Sequence, residues 1–149
     1  MERLLKLYQH CERSGVVFFH GYDLPGDNDA CTIEMGGTYG LFIDQKKANC
    51  TAKEVVAVAH ECGHMETGAT HKLSSPYDVI QKHENLADRW AIERLIPRSY
   101  FKTAIASEVT EPWELAELFN VPQSFIEKAM AYYYMLDTID AEKHSSDQP

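Results

Sequence analysis

The 149-residue chain has no run of five basic residues, no Cys-x-x-Cys pair and no long apolar stretch. Each absence excludes something. Fourteen Lys and Arg stand against 23 Asp and Glu, giving a net charge of −9. Such a chain repels phosphate backbones unless its few cations cluster, so nucleic acid is not an expected partner. The four cysteines, Cys11, Cys31, Cys50 and Cys62, have the spacing of neither a zinc ribbon nor a disulfide framework. Reduced thiols are the expectation. The opening residues, MERLLKLYQHCERSG, lack the apolar core of a secretory signal. Val16 to Phe19, the longest apolar run near them, is far short of a membrane span. The expectation is a soluble, cytoplasmic protein with no membrane partner. There is no internal repeat and no low-complexity tract.

What is present is an ordinary globular composition, 44% hydrophobic and 25% charged. The length suits one domain, placed at residues 1–140, with 141–149 as a polar, disordered tail. A chain of this size buries roughly two thirds of its surface without help from a metal. A metal ion would therefore serve chemistry before folding.

The periodicity predicts a helix over 2–12, with Leu4, Leu5, Tyr8 and Cys11 (or Leu7) on one face. Strands follow at 16–20, 31–35 and 38–44, the last two joined by the hairpin signal Gly36-Gly37. Together they make a small antiparallel sheet. Thr51 and Glu54 form a capping-box pattern before the stripe Val55, Val56, Ala59, Cys62. A long helix opens at Ser75-Pro76 and ends before Pro97, and two more helices are expected near 111–119 and 122–136.

The second of these five helices carries His60-Glu61-Cys62-Gly63-His64, an H-E-x-x-H pattern. Residues four apart share a helix face, with Cβ atoms about 5–6 Å apart. Two imidazoles so placed can close on one zinc ion. Glu61 lies about 100° further round, beside the open position, where it can act as general base toward a metal-activated water. Catalytic zinc needs a third protein ligand. His71 and His83 are candidates, but HECGHMETGATH puts Gly68 and His71 one residue late for the metzincin pattern. Glu84 is preferred. Asp88 shares its helix face and is assigned to accept the second N–H of a ligating imidazole, His60, which fixes the tautomer.

These residues resemble the ImmA/IrrE-type metallopeptidases, zinc proteins of mobile elements and phage. The resemblance spans roughly residues 38–136 and rests on VAHECGH with the following ETG, on KHENLADRWAIERLIP, and on WELAELFNVPQSFIEKAM. It implies zinc on His60, His64 and Glu84, with Glu61 as base. It also implies selective cleavage of a transcriptional repressor, the expected protein partner. The E-x-x-x-D arrangement of Glu84 and Asp88 is similar to a gluzincin third-ligand helix. Cys62 departs from the family pattern, where Leu or Ile is usual. A small buried residue is the preferred reading there, with a regulatory thiol as the other.

The expected fold is α+β and minigluzincin-like: a small antiparallel sheet on the two motif helices, with additional C-terminal helices. His71, Tyr77 and His83 are candidate donors to the transition state. Strand 38–43 is a candidate edge for an extended substrate. Residues 110–136 also read as a helix-turn-helix through Leu115, Ala116, Phe119, Val121, Phe125 and Ile126. Its second helix offers no Arg for guanine, so packing or repressor docking is preferred over DNA contact. The three adjacent tyrosines 132–134 are read as packing residues. The rival functions are a metal-holding module that binds a repressor without cutting it, and a DNA-binding regulator.

Overall fold

The computed structural model describes residues 1–70 and 74–146, which form six helices and a three-stranded sheet. This is the α+β class. The chain divides into two compact units, Met1–Leu95 and Ile96–Pro149.

The first unit runs α1 (Glu2–Arg13), β1 (Val17–His20), β2 (Ala30–Met35), β3 (Thr38–Ile43), α2 (Thr51–Glu66) and α3 (Tyr77–Leu95). β2 and β3 form the expected hairpin, with register from Met35↔Thr38 to Ala30↔Ile43. Gly36 and Gly37 turn it at φ 59° and 92°, values a side chain would resist. β1, however, pairs with β3 in parallel, and the order is β1-β3-β2. The sheet is mixed, a correction to the antiparallel expectation. The strands still alternate in direction along the chain, but β3 inserts between its two predecessors. Segment 21–29 must therefore cross to the far side of β3, and side chains just past β3 hold it there. Leu24 N–H donates to Asp44 Oδ2 at 3.0 Å, and Lys47 Nζ donates to the Gly26 carbonyl at 2.6 Å. Asp44 is buried, and backbone N–H bonds from Leu24 foremost, then Lys46 and Lys47, hold its carboxyl below the usual range. Because β3 is central, strand 38–43 has no free edge, which removes it as a substrate-pairing edge. Among the described residues the free edges belong to β1 and β2.

Thr32, Leu41 and Phe18 share one face of the sheet through their register. Leu41 and Ile43 are fully buried, and Phe18 packs edge-on against Tyr8 of α1, ring centroids 4.7 Å apart. On α1 the buried residues are Leu7 and Cys11, while Leu5 is exposed. On α2 the buried stripe is Val55, Val58, Ala59 and Cys62; Val58 takes the place expected of Val56. The expected capping box does not form. Cys50 is the N-cap, no side chain caps the helix, and Glu54 instead accepts the Tyr8 hydroxyl. Cys11 and Cys62 are joined as a disulfide, Cα atoms 6.9 Å apart, and Cys31 and Cys50 are free. The expectation of four reduced thiols fails because α1 packs on α2, bringing together residues 51 apart in sequence.

α2 and α3 approach unusually closely at Gly63. A Cβ there would lie 2.6 Å from the Ala87 carbonyl oxygen and 2.9 Å from its Cα. Only a residue without a side chain lets the two backbones meet.

The second unit runs α4 (Arg98–Ala106), α5 (Pro112–Phe119) and α6 (Gln123–Ser146). Asn120, in the left-handed conformation, ends α5. Leu115, Phe119, Val121, Phe125 and Ile126 are buried around the turn, as the helix-turn-helix pattern predicts, and Ala116 is half-buried. Two things differ from expectation. α4 is an additional helix, and α6 continues through Ser146 into the segment expected to be a disordered tail. Arg98 on α4 pairs with both Asp137 and Asp140, which fastens α6 beyond its apolar stretch. Tyr133 is buried and donates its hydroxyl to the Ile96 carbonyl, while Tyr134 is exposed. Among the described residues no helix is long and apolar enough to cross a membrane.

Candidate metal centre

His60, His64 and Glu84 offer ligand atoms that all lie within 4.8 Å of one another. α2 supplies the imidazoles one turn apart, and α3 supplies the carboxylate across the Gly63–Ala87 contact. The ring planes are nearly perpendicular, at 87°. His60 Nε2 and His64 Nε2 are 3.1 Å apart. Glu84 places Oε2 at 3.0 Å from the first and Oε1 at 3.3 Å from the second. Bond lengths to zinc of about 2.0–2.2 Å in a tetrahedron put ligand atoms about 3.3–3.6 Å apart. The observed spacings of 3.0 to 3.3 Å are close to the edge of such a tetrahedron, with a different oxygen of Glu84 facing each imidazole. The group could hold a metal ion.

The orientation of each ring is set from behind. His60 Nδ1–H donates to Asp88 Oδ1 at 2.8 Å, the pairing assigned to Asp88 from its spacing. His64 Nδ1–H donates to the Ala69 carbonyl at 2.9 Å. Both Nε2 atoms are thereby aimed at the same point. The Ala69 acceptor is not a side chain and is absent from the sequence-level site. Its origin is the end of α2. Gly68, at φ 63°, reverses the chain, Gly68 N–H donates to Met65 O, and Ala69 N–H donates to His64 O. That is the Schellman pattern, and it brings the Ala69 carbonyl back over the last histidine. A glycine four residues after the second motif histidine is the signal that could have revealed it.

Glu61 is buried, and its Oε2 accepts a hydrogen bond from Thr32 Oγ1 at 2.6 Å. Thr32 lies on β2, so an edge strand of the sheet reaches the carboxylate of the motif. Sequence reasoning missed Thr32, which lies 29 residues upstream with no local pattern to mark it. Burial and the charge of Glu61 push the neighbouring Cys31 thiol upward.

The electrostatics follow from three carboxylates around two imidazoles. Burial opposes a charged His60, but the bonds with Asp88 and Glu84 and the nearby charge of Glu61 outweigh it and raise its pKa to about 9. His64 is shifted up too; burial opposes this, and Glu84 and the Ala69 carbonyl drive it. Glu84 is held far below the usual carboxylate range, first by its hydrogen bonds to His60 and His64.

Two further sequence candidates lie among the described residues, and neither is in this group. Tyr77 is 79% exposed, with its hydroxyl 3.4 Å from Gln81 on its own helix. His83 is half-buried and sits one step, about 100°, round the helix from Glu84; it is not part of the ligand group. His71 lies outside the described residues. No protein-family model, curated protein or solved structure matches the chain.

Proposed function

We propose that this protein is a zinc-dependent peptidase of the ImmA/IrrE type, with its first unit packed in the minigluzincin manner. One observation carries the reading: two imidazole nitrogens 3.1 Å apart, each within 3.3 Å of an oxygen of one carboxylate, with a buried glutamate on the histidines' own helix. Two nitrogens and one oxygen, with a corner left over, are a donor set suited to catalytic zinc.

When bound, zinc supplies a Lewis acid that lowers the pKa of a water toward about 7 and polarises a carbonyl. The chain's own residues do the rest. His60 and His64 present neutral Nε2 lone pairs, their Nδ1 protons committed to Asp88 and Ala69. Asp88 adds basicity to His60 through that bond. Glu61 takes the proton of the attacking water and hands it to the leaving amine. The Thr32 hydroxyl holds one Glu61 oxygen, which leaves the other to carry the proton. β2, an edge strand attached to Glu61 through Thr32, is the strand placed to pair with an extended substrate backbone. The substrate is a protein, a transcriptional repressor by the family resemblance.

The test is incubation with the repressor encoded beside the gene, with and without chelator, followed by mass spectrometry of the fragments. Zinc-dependent cleavage is expected, with Glu61→Gln keeping stoichiometric zinc and losing nearly all turnover. A zinc-loaded wild type that leaves both the repressor and a random peptide pool intact would point to a binding module and end the peptidase reading.

A further inference from the structure

Behind the metal-ligating face, α2 turns Cys62 toward α1, where it meets Cys11. Both residues are almost wholly buried, at 0% and 1% exposure. A cavity nevertheless lies against the pair. It holds about 170 Å³ and is lined by both cysteines, with Ser14, Met65, His10 and Glu66 among its other walls. His10 and Glu66 form an ion pair at 2.7 Å, both partly exposed, and Ser14 is exposed. The cavity thus leads from partly exposed side chains up to the pair, while the two cysteines themselves stay covered.

Thiol–disulfide chemistry needs an attacking atom to reach sulfur, so access sets its rate. A water occupies about 30 Å³, so the cavity admits a peroxide or the thiol end of a small molecule. It does not admit the active site of a folded oxidoreductase. We propose that Cys11 and Cys62 are a reversible dithiol–disulfide couple, served through this cavity by small oxidants and small thiols, that locks α1 to the motif helix. In the oxidising direction one cysteine thiolate attacks hydrogen peroxide. The O–O bond breaks, hydroxide leaves and is protonated, and a sulfenic acid remains. The second thiol attacks that sulfur; the S–S bond forms, the S–O bond breaks and water leaves. Two thiols and one peroxide give one disulfide and two waters. In the reducing direction two small thiols become their own disulfide and both cysteines recover their protons. None of this depends on the peptidase reading.

The experiment uses the full chain and counts thiols by maleimide labelling after denaturation, with peptide mapping. Fully reduced protein should label four cysteines. Native protein treated with hydrogen peroxide should label two, Cys31 and Cys50, and yield a Cys11–Cys62 crosslinked peptide that dithiothreitol reverses. Oxidised protein should melt at a higher temperature. Ser14→Trp, which narrows the mouth, should slow native oxidation by about tenfold or more, since rate follows access, while denatured chains react equally. Within the wild type, reduced thioredoxin should reduce the native disulfide far more slowly than dithiothreitol does. Four labelled cysteines after peroxide treatment, or a crosslink involving Cys31 or Cys50, would overturn the couple. Thioredoxin reduction as fast as that by dithiothreitol would overturn the role of the cavity, whatever the fate of the Ser14 variant.

Discussion

Gly63→Ala sets two known effects against each other, and the structure decides between them. In a helix interior, alanine is favoured over glycine by about 1 kcal/mol, so local propensity alone predicts a more stable protein. The packing predicts the reverse. The new Cβ would lie 2.6, 2.9 and 3.1 Å from the O, Cα and C atoms of Ala87. All three are backbone atoms inside α3 and cannot swing aside. Restoring ordinary contact requires α2 and α3 to part by several tenths of an ångström or more. Overpacking of this kind costs about 1–3 kcal/mol, and the upper end applies where backbone must move. The net expectation is a loss of about 1–2 kcal/mol, the overpacking cost less the propensity gain. Urea denaturation of chelator-treated protein reads it directly.

The same displacement has a second readout. Glu84 and Asp88 flank Ala87 on α3, so moving that helix moves both carboxylates away from His60 and His64. Metal sites tolerate distance errors of about 0.2 Å, less than the separation the clash demands. Zinc affinity, measured by competition with a chromophoric chelator, should fall by at least about tenfold, in the range seen when supporting partners are lost. Adding Ala87→Gly should not rescue either property, because the clashing atoms remain in glycine. A Gly63→Ala protein that is as stable as wild type and binds zinc equally well would refute the account of the helix contact.

Glu84→Ala should weaken zinc binding by more than the 10–100-fold typical of losing a supporting partner, checked by the same competition assay. Asp88→Asn keeps the shape but not the charge behind His60. It should weaken zinc by about 10–100-fold, with little change in the circular dichroism spectrum. In chelator-treated protein, stability should depend on pH through His60, whose pKa rises from 6.5 to about 9 on folding. A raised pKa means the contribution is fully present below pH 6.5 and lost as pH climbs through 9. At about 1.4 kcal/mol for each pH unit it amounts to about 3 kcal/mol. Urea midpoints that are flat from pH 6.5 to 9 would contradict it.

The centre is legible in the sequence to the extent that its residues are joined by helix periodicity. His60 and His64 are four apart, as are Glu84 and Asp88, and a spacing of four fixes a shared face before any tertiary contact is known. What brings the two pairs together is Gly63, whose missing side chain is a packing requirement that periodicity does not reveal. Thr32 reaches Glu61 from a strand, and Ala69 reaches His64 with a backbone carbonyl; neither relation is periodic. The sheet shows the same division. Strand positions and the Gly36-Gly37 hairpin follow from local pattern. The insertion of β3 between β1 and β2 depends on Asp44 and Lys47 gripping a loop some 20 residues earlier in the chain. Cys11 and Cys62 fail for the same reason, since only the packing of α1 on α2 pairs them.

The charges around His60 tie stability to metal binding. Glu61, Glu84 and Asp88 all act on one imidazole, and that crowding of negative charge is costly unless a positive charge sits among them. A proton on His60 meets the need, which is why its pKa rises despite burial. A divalent cation meets it better, because it carries twice the charge and is reached by His60, His64 and Glu84 together. It must, however, displace the protons first. Proton and metal therefore compete for one electrostatic well. Raising the pH removes the proton's contribution to the metal-free fold and in the same range strengthens zinc binding. A variant such as Asp88→Asn, which makes that well shallower, should reduce both the pH dependence of metal-free stability and the affinity for zinc. If only one of the two changed, His60 and the metal group would not share a common field.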